Sequence, residues 1–182
     1  MKHKFLSVTA AFLLLLSASA TTAEAYNAGD VSAVASGQSR PGADLRNADL
    51  SGADLTALNL TGANLQNADL TGARLEKATL DHADLTGCKL KRASFSEASL
   101  ADAVLKHADA PYAYFGHATM ANADLSGGNF FRADFRGAKL TGSTAYAATF
   151  QEATFDKADL SNGDYSFANF SYGWLFQANV SD

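Results

Sequence analysis

The amino-acid sequence predicts an all-β chain wound into a four-sided solenoid of about seven coils, and two nested regularities carry that expectation. The first has a period of five. A bulky apolar side chain returns at Leu45, Leu50, Leu55, Leu60, Leu65, Leu70, Leu75, Leu80, Leu85, Leu90, Phe95 and Leu100, and the register runs on to Leu175 and Val180, 28 centres in all. Two residues before nearly every centre sits a small residue, as at Ala43, Ala48, Ala53, Ala63 and Ala68. The second has a period of 20 and appears in the phenylalanines: Phe95, Phe115, Phe135 and Phe155 form one series, Phe130, Phe150 and Phe170 another.

A period of five fits neither regular structure. Five steps along an α-helix rotate a position by about 140°, and five steps along a strand put it on the opposite face. The chain must turn once per repeat, burying the centre and the small residue two before it. Flat walls five residues wide follow, with neighbouring coils hydrogen-bonded at roughly 4.8 Å. Four walls per coil make stacked residues alike: a third column reads Leu60, Leu80, Leu100, Met120, Leu140, Leu160 and Val180, with no aromatic at all. Seven coils at this spacing span about 34 Å. At inward positions the phenylalanine ladders are read as stacked core rather than as a ligand groove.

Three segments follow in chain order. In residues 1–25, Lys2 and Lys4 precede an apolar run from Phe5 to Leu16, and small residues end at Ala18-Ser19-Ala20 or Ala23-Glu24-Ala25. This is the pattern of a secretory signal peptide, with cleavage expected after Ala25 and the alternative after Ala20. The run is shorter than the roughly 20 residues needed to span a bilayer, so no stable membrane insertion is expected. Residues 26–42 are expected to form an N-terminal cap: Asp30 as N-cap of a short helix, Val31, Val34 and Ala35 on one face, and Gly37 at its end. Residues 43–182 are the solenoid.

The motif Ala-Asp-Leu-x-x, as in Ala43-Asp44-Leu45-Arg46-Asn47, Ala53-Asp54-Leu55, Ala63-Asn64-Leu65-Gln66-Asn67 and Ala68-Asp69-Leu70-Thr71-Gly72, resembles the pentapeptide-repeat family. The resemblance implies a right-handed quadrilateral β-helix with a tight corner after each wall, and for most members no established activity. It specifies fold far better than function. The stretch from Asp30-Val31 to Pro41-Gly42-Ala43 is similar to the capping segment of secreted and thylakoid-lumen members. In those, a pair of cysteines often brackets the Pro-Gly; Arg40 and Ala43 stand there in this chain.

Composition narrows the functional classes. The chain carries 14 basic and 19 acidic residues; without residues 1–25 these become 12 and 18, a net charge of about minus six. Such mild acidity with no basic face argues against nucleic acid as a ligand. The aspartates before the centres, such as Asp44, Asp84, Asp124 and Asp164, are expected to bond backbone amides at the turns. Leu58 is the one large residue in the small-residue column, and Cys88, the sole cysteine, occupies an inward small slot, where it is expected to be buried and inert. The glycines at 52, 62, 72, 87, 127, 137 and 142 share the last repeat position, where a turn needing positive φ favours them.

No site for chemistry emerges. The repeats contain no insertion on which an active site could be built, and His82, His107 and His117 fall on three different sides. No catalytic, cofactor or metal residues are assigned, and no enzyme activity is expected. Two surfaces stand out. Lys89, Lys91, Arg92, Tyr112, Phe131 and Arg132 are expected to gather cations and aromatics on one wall of successive coils, as interfaces do. Phe167, Tyr172, Trp174 and Phe176 crowd the last coil, where an uncovered edge and core would favour self-association, as a homodimer through that coil. The expected role is an exported binding or structural module with a protein partner, in the periplasm or outside the cell, or in the thylakoid lumen of a photosynthetic source. The alternative comes from the resemblance: some family members are DNA mimics that inhibit DNA gyrase and dimerise through their C-terminal coils.

Overall fold

The corner is the unit from which the molecule is built. A computed structural model describes residues 26–181; the expected signal peptide lies outside the described residues. At a corner the N–H of the small residue donates to the centre three residues earlier, as in Ala48 to Leu45 and Ala53 to Leu50, both 3.1 Å. The residue just before that donor has positive φ in all 28 repeats, and 20 of the 28 are not glycine, Asn47 at +56° and Ala57 at +57° among them. None of the 20 is Val, Ile or Thr, because a β-branched side chain clashes most severely in the left-handed region. Both prolines, Pro41 and Pro111, sit one position earlier, where their fixed φ suits the second position of a turn.

At many corners an Asp or Asn before the centre braces the turn. Asp49 Oδ1 accepts the Ser51 N–H at 3.0 Å, Asp84 that of Thr86 at 2.9 Å and Asn169 that of Ser171 at 2.9 Å. Such side chains mimic one residue of a turn, so the expected structural use of these aspartates is what the geometry contains.

Stacking is regular. Every bridge between walls is parallel and joins residues 20 apart, from Asp44 with Asn64 to Asp159 with Asn179. Four columns of seven residues result; one is Asp54, Arg74, Ser94, Tyr114, Asp134, Thr154 and Trp174. Hydrogen bonds run both ways along the axis: Asn64 N donates back to Ala43 O at 2.8 Å, and Leu65 N donates forward to Asp84 O at 2.7 Å.

One continuous apolar core fills the axis. Phe95, Phe115, Phe135 and Phe155 stack at 5.0, 4.8 and 4.8 Å between ring centroids with nearly parallel planes. The Phe130, Phe150, Phe170 ladder on the adjoining wall stacks at 5.2 and 5.0 Å and meets the first edge-on, as Phe130 does Phe135 at 5.7 Å. Two centres carry alanine instead, Ala110 and Ala145. One coil after each comes an aromatic centre, Phe130 or Tyr165, whose own small slot is glycine. The rings lie where a Cβ on Gly128 or Gly163 would be. The Tyr165 hydroxyl pairs with Ser143 Oγ at 2.7 Å, and burial pushes its pKa up to about 12.

At the N-terminal end a short helix, α1 (Ala28–Ala35), differs in detail from expectation. Its N-cap is Asn27, whose Oδ1 accepts from the N–H groups of Gly29 and Asp30. Asp30 lies inside the first turn, and its carboxylate instead accepts the N–H of Asp44 at 3.0 Å, tying the helix to the first wall. The buried face is Val31, Ala33 and Val34; Ala35 is exposed. Gly37, at φ +82°, closes the C-terminus through Gly37 N to Val34 O and Gln38 N to Ala33 O, the paired pattern that needs a left-handed residue there. Val31 and Val34 join the same core as Leu45 and Leu58.

Candidate functional site

The cation–aromatic group does not lie on a flat wall. Lys89 alone is on one, paired with Asp69 of the preceding coil at 3.4 Å. The others occupy the corner that follows, with Lys91, Pro111 and Phe131 in its first turn column and Arg92, Tyr112, Arg132, Glu152 and Tyr172 in its second. Arg92, Tyr112 and Arg132 all have positive φ, of 58°, 60° and 54°. Side chains at this turn position run toward the next coil; the rings of His107 and His117 cover Gly127 and Gly137, 20 residues on.

That direction assembles the site. The Arg92 guanidinium carbon lies 6.0 Å from the centroid of the Tyr112 ring, and that of Arg132 6.0 Å from the same ring. Arg132 also stacks over Phe131 at 5.1 Å, and Phe131 meets Tyr112 edge-on at 5.7 Å. Glu152 accepts from Arg132 Nε at 2.6 Å, and that hydrogen bond holds the Arg132 pKa above its ordinary value. Tyr112 and Phe131 are half-buried while Lys91, Arg92 and Arg132 are exposed. The arrangement is a rigid aromatic ridge flanked by cations, able to hold anions and an apolar group side by side.

The terminal aromatics are spread around the last coil and turn outward. Phe167 sits at one corner against Tyr146, Tyr172 heads the column of Arg92 and Arg132, Trp174 stands on the next wall, and Phe176 on the corner beyond. They are 66–81% exposed and do not fold over the end, which leaves Leu175 at 39% and Val180 at 64%. Glu152, Tyr172, Gly173 and Trp174 line an open recess. Glu152 was missing from the sequence-derived set, although its spacing of 20 from Arg132 places it in the same column. Tyr114, half-exposed on the adjoining wall, was also missed.

The remaining reactive groups are placed apart. Cys88 is fully buried; its Sγ donates to Leu65 O at 2.9 Å, and burial pushes the thiol pKa up to about 12. His82, His107 and His117 occupy three different corners. Among the described residues no cluster of three potential metal ligands occurs, and no helix is long and apolar enough to cross a membrane.

The sequence profile for pentapeptide repeats matches this chain in eight copies, over residues 42–76, 59–97, 98–137 and 129–164. The chain belongs to the pentapeptide-repeat family, and its solenoid is the right-handed quadrilateral β-helix of that family. Among solved structures, trypsin-treated QnrB1, a plasmid-mediated fluoroquinolone resistance protein, is 22% identical over 75% of this chain and 72% of its own, with a TM-score of 0.51. That likeness is one of fold. HetL, involved in heterocyst differentiation regulation in the cyanobacterium Nostoc sp. strain PCC 7120, is 27% identical over 80% of this chain and 86% of its own, with a TM-score of 0.31. A pentapeptide-repeat protein of the Arabidopsis thaliana thylakoid lumen, AT2G44920, is 26% identical over 64% and 68%, with a TM-score of 0.21. A search of the curated proteins finds no match.

Proposed function

We propose that the chain is an exported, non-enzymatic solenoid of seven coils, closed at its N-terminal end by α1 and acting as a protein-binding or structural module. The observation that carries this reading is the preformed ridge of Arg92, Tyr112, Phe131 and Arg132 on a scaffold whose repeats project no loop. Aromatics with flanking cations are the residue types enriched at interfaces. Export rests on residues 1–25, and the periplasm, the cell exterior or a thylakoid lumen would be the working compartment. The last coil is proposed to pair with a second copy, since its exposed aromatics adjoin an unpaired edge. The DNA-mimicking alternative gains nothing from the charge layout: Asp54, Asp69, Asp124 and Glu152 face Arg74, Lys89, Lys106 and Arg132, so no uninterrupted acidic face runs along these columns.

The test is a pull-down from the exported fraction with the mature chain as bait and a Tyr112→Asn, Phe131→Ser variant as control. A partner retained by the first and lost by the second supports the module. A chain found only uncleaved in the cytoplasm would remove the export half of the reading.

A further inference from the structure

We propose that the corner from Lys91 to Arg132 binds an acidic, aromatic-bearing segment of a partner protein, its carboxylates on Lys91 and Arg92 and its apolar side chain against Tyr112 and Phe131. This rests on the binding-module reading and adds the chemistry of the partner. The argument begins with charge pairing. Arg46, Arg74, Lys77, Lys89, Lys106, Arg132 and Arg136 each face a carboxylate within 4 Å. Arg40, Lys91, Arg92, Lys139 and Lys157 have no carboxylate within 4 Å among the described residues, but of these only Lys91 and Arg92 stand side by side, with Arg92 over the Tyr112 ring. On a chain of net charge −5, this uncompensated pair is where an anionic group is drawn.

Geometry selects the rest. Pro111 fixes the turn that presents Tyr112, and two guanidinium groups bracket that ring, so the ridge is ordered before anything binds. Arg132 is held by Glu152, which leaves Lys91 and Arg92 as the anion contacts and the aromatics as the apolar contact. Two adjacent cations without a carboxylate partner suit a few peptide carboxylates. They do not suit a nucleic acid, whose affinity needs many phosphate contacts, or an anionic membrane, which is held by clusters of several basic residues.

The experiment is fluorescence anisotropy of a labelled alternating Glu-Tyr peptide titrated with the mature protein. Saturable binding is expected, weakened about tenfold or more by Lys91→Gln with Arg92→Asn and by Tyr112→Asn, and by raising the salt to about 0.5 M. Asparagine is chosen because it tolerates positive φ, and an unchanged melting temperature verifies each fold. Trp174→Ser with Phe176→Ser should leave binding unchanged. No binding, equal binding of a Lys-Tyr peptide, equal binding by the double variant, or tighter binding of a single-stranded oligonucleotide or of phosphatidylglycerol vesicles would each overturn the proposal. A pull-down partner that survives the corner variants sinks this inference and leaves the module reading standing; absence of both peptide binding and any partner sinks both.

Discussion

Gly52 and Gly127 share a backbone angle, φ +65° and +66°, but not an environment: nothing lies within 4 Å of a Cβ built on Gly52, whereas one on Gly127 meets His107 Nδ1 at 2.6 Å. Both Gly→Ala changes incur the left-handed backbone cost of about 1–2 kcal/mol. Only Gly127→Ala must also displace a ring, so it should melt lower than Gly52→Ala and be partly rescued by His107→Ala. Equal melting temperatures would show that the ring moves freely. In the core the ordering is steeper. Phe115, stacked on Phe95 and Phe135, should cost about 3–5 kcal/mol as Phe115→Ala, and Ala93→Leu, with no room at a fully buried small slot, about 1–3 kcal/mol. Chemical denaturation of each variant measures these directly.

At the scale of the element, the corners braced by aspartates with lowered pKa values couple folding to pH. Asp54, Asp69, Asp159 and Asp164 have lowered pKa values, chiefly through side-chain hydrogen bonds from Thr56, Thr71, Ser161 and Ser166. At Asp84, Asp124 and Asp134 burial opposes the shift, yet the hydrogen bonds together outweigh it. A carboxylate whose folded pKa is depressed stabilises fully above its unfolded value, about 3.9, and loses that contribution as the pH falls through the folded value. Denaturation midpoints should therefore drop below about pH 4, and a variant carrying Asp54→Asn, Asp69→Asn and Asp164→Asn should drop less, because the amide oxygen still accepts the turn N–H. An identical acid dependence would place the sensitivity elsewhere. These corners also show what could be read beforehand. The aspartates before the centres revealed the brace, and the glycine positions revealed the turn. That Lys77, Tyr112 or Phe167 would adopt the same positive φ could not be read from residue preference, because stacking on the adjoining coil overrides it. Asn27 replaced Asp30 as the cap for a related reason: Asp30 is claimed by the N–H of Asp44, a contact 14 residues away.

For the molecule as a whole, the two ends differ. α1 packs Val31 and Val34 into the core of the first coil, whereas among the described residues the N–H groups of the last coil's centres donate to no further wall, and Leu175 and Val180 are exposed. Burying such a face stabilises by about 25 cal/mol per Å² before the costs of association, and a two-fold pairing closes both edges without propagating a fibre. Sedimentation equilibrium of residues 26–182 is expected to give a dimer that dissociates on Trp174→Ser with Phe176→Ser; a monomer at tens of micromolar, unaffected by these changes, would refute pairing at this end. The number of sides was legible because Phe and Leu segregate by column. The outward splay of the last aromatics was not, since position in the repeat fixes a wall or a corner but not whether a side chain bends back over an open end.

The offset of 20 between paired residues has a consequence for how the chain can change in length. Removing a single repeat would rotate everything downstream by a quarter turn, set Phe115 and Phe135 over a different column, and break the ladder at the junction. Removing or duplicating 20 residues restores every neighbour to its like. Growth and loss are thus quantised in whole coils, so an excised or inserted coil would carry the Arg92–Arg132 ridge up or down the axis without altering the corner it occupies.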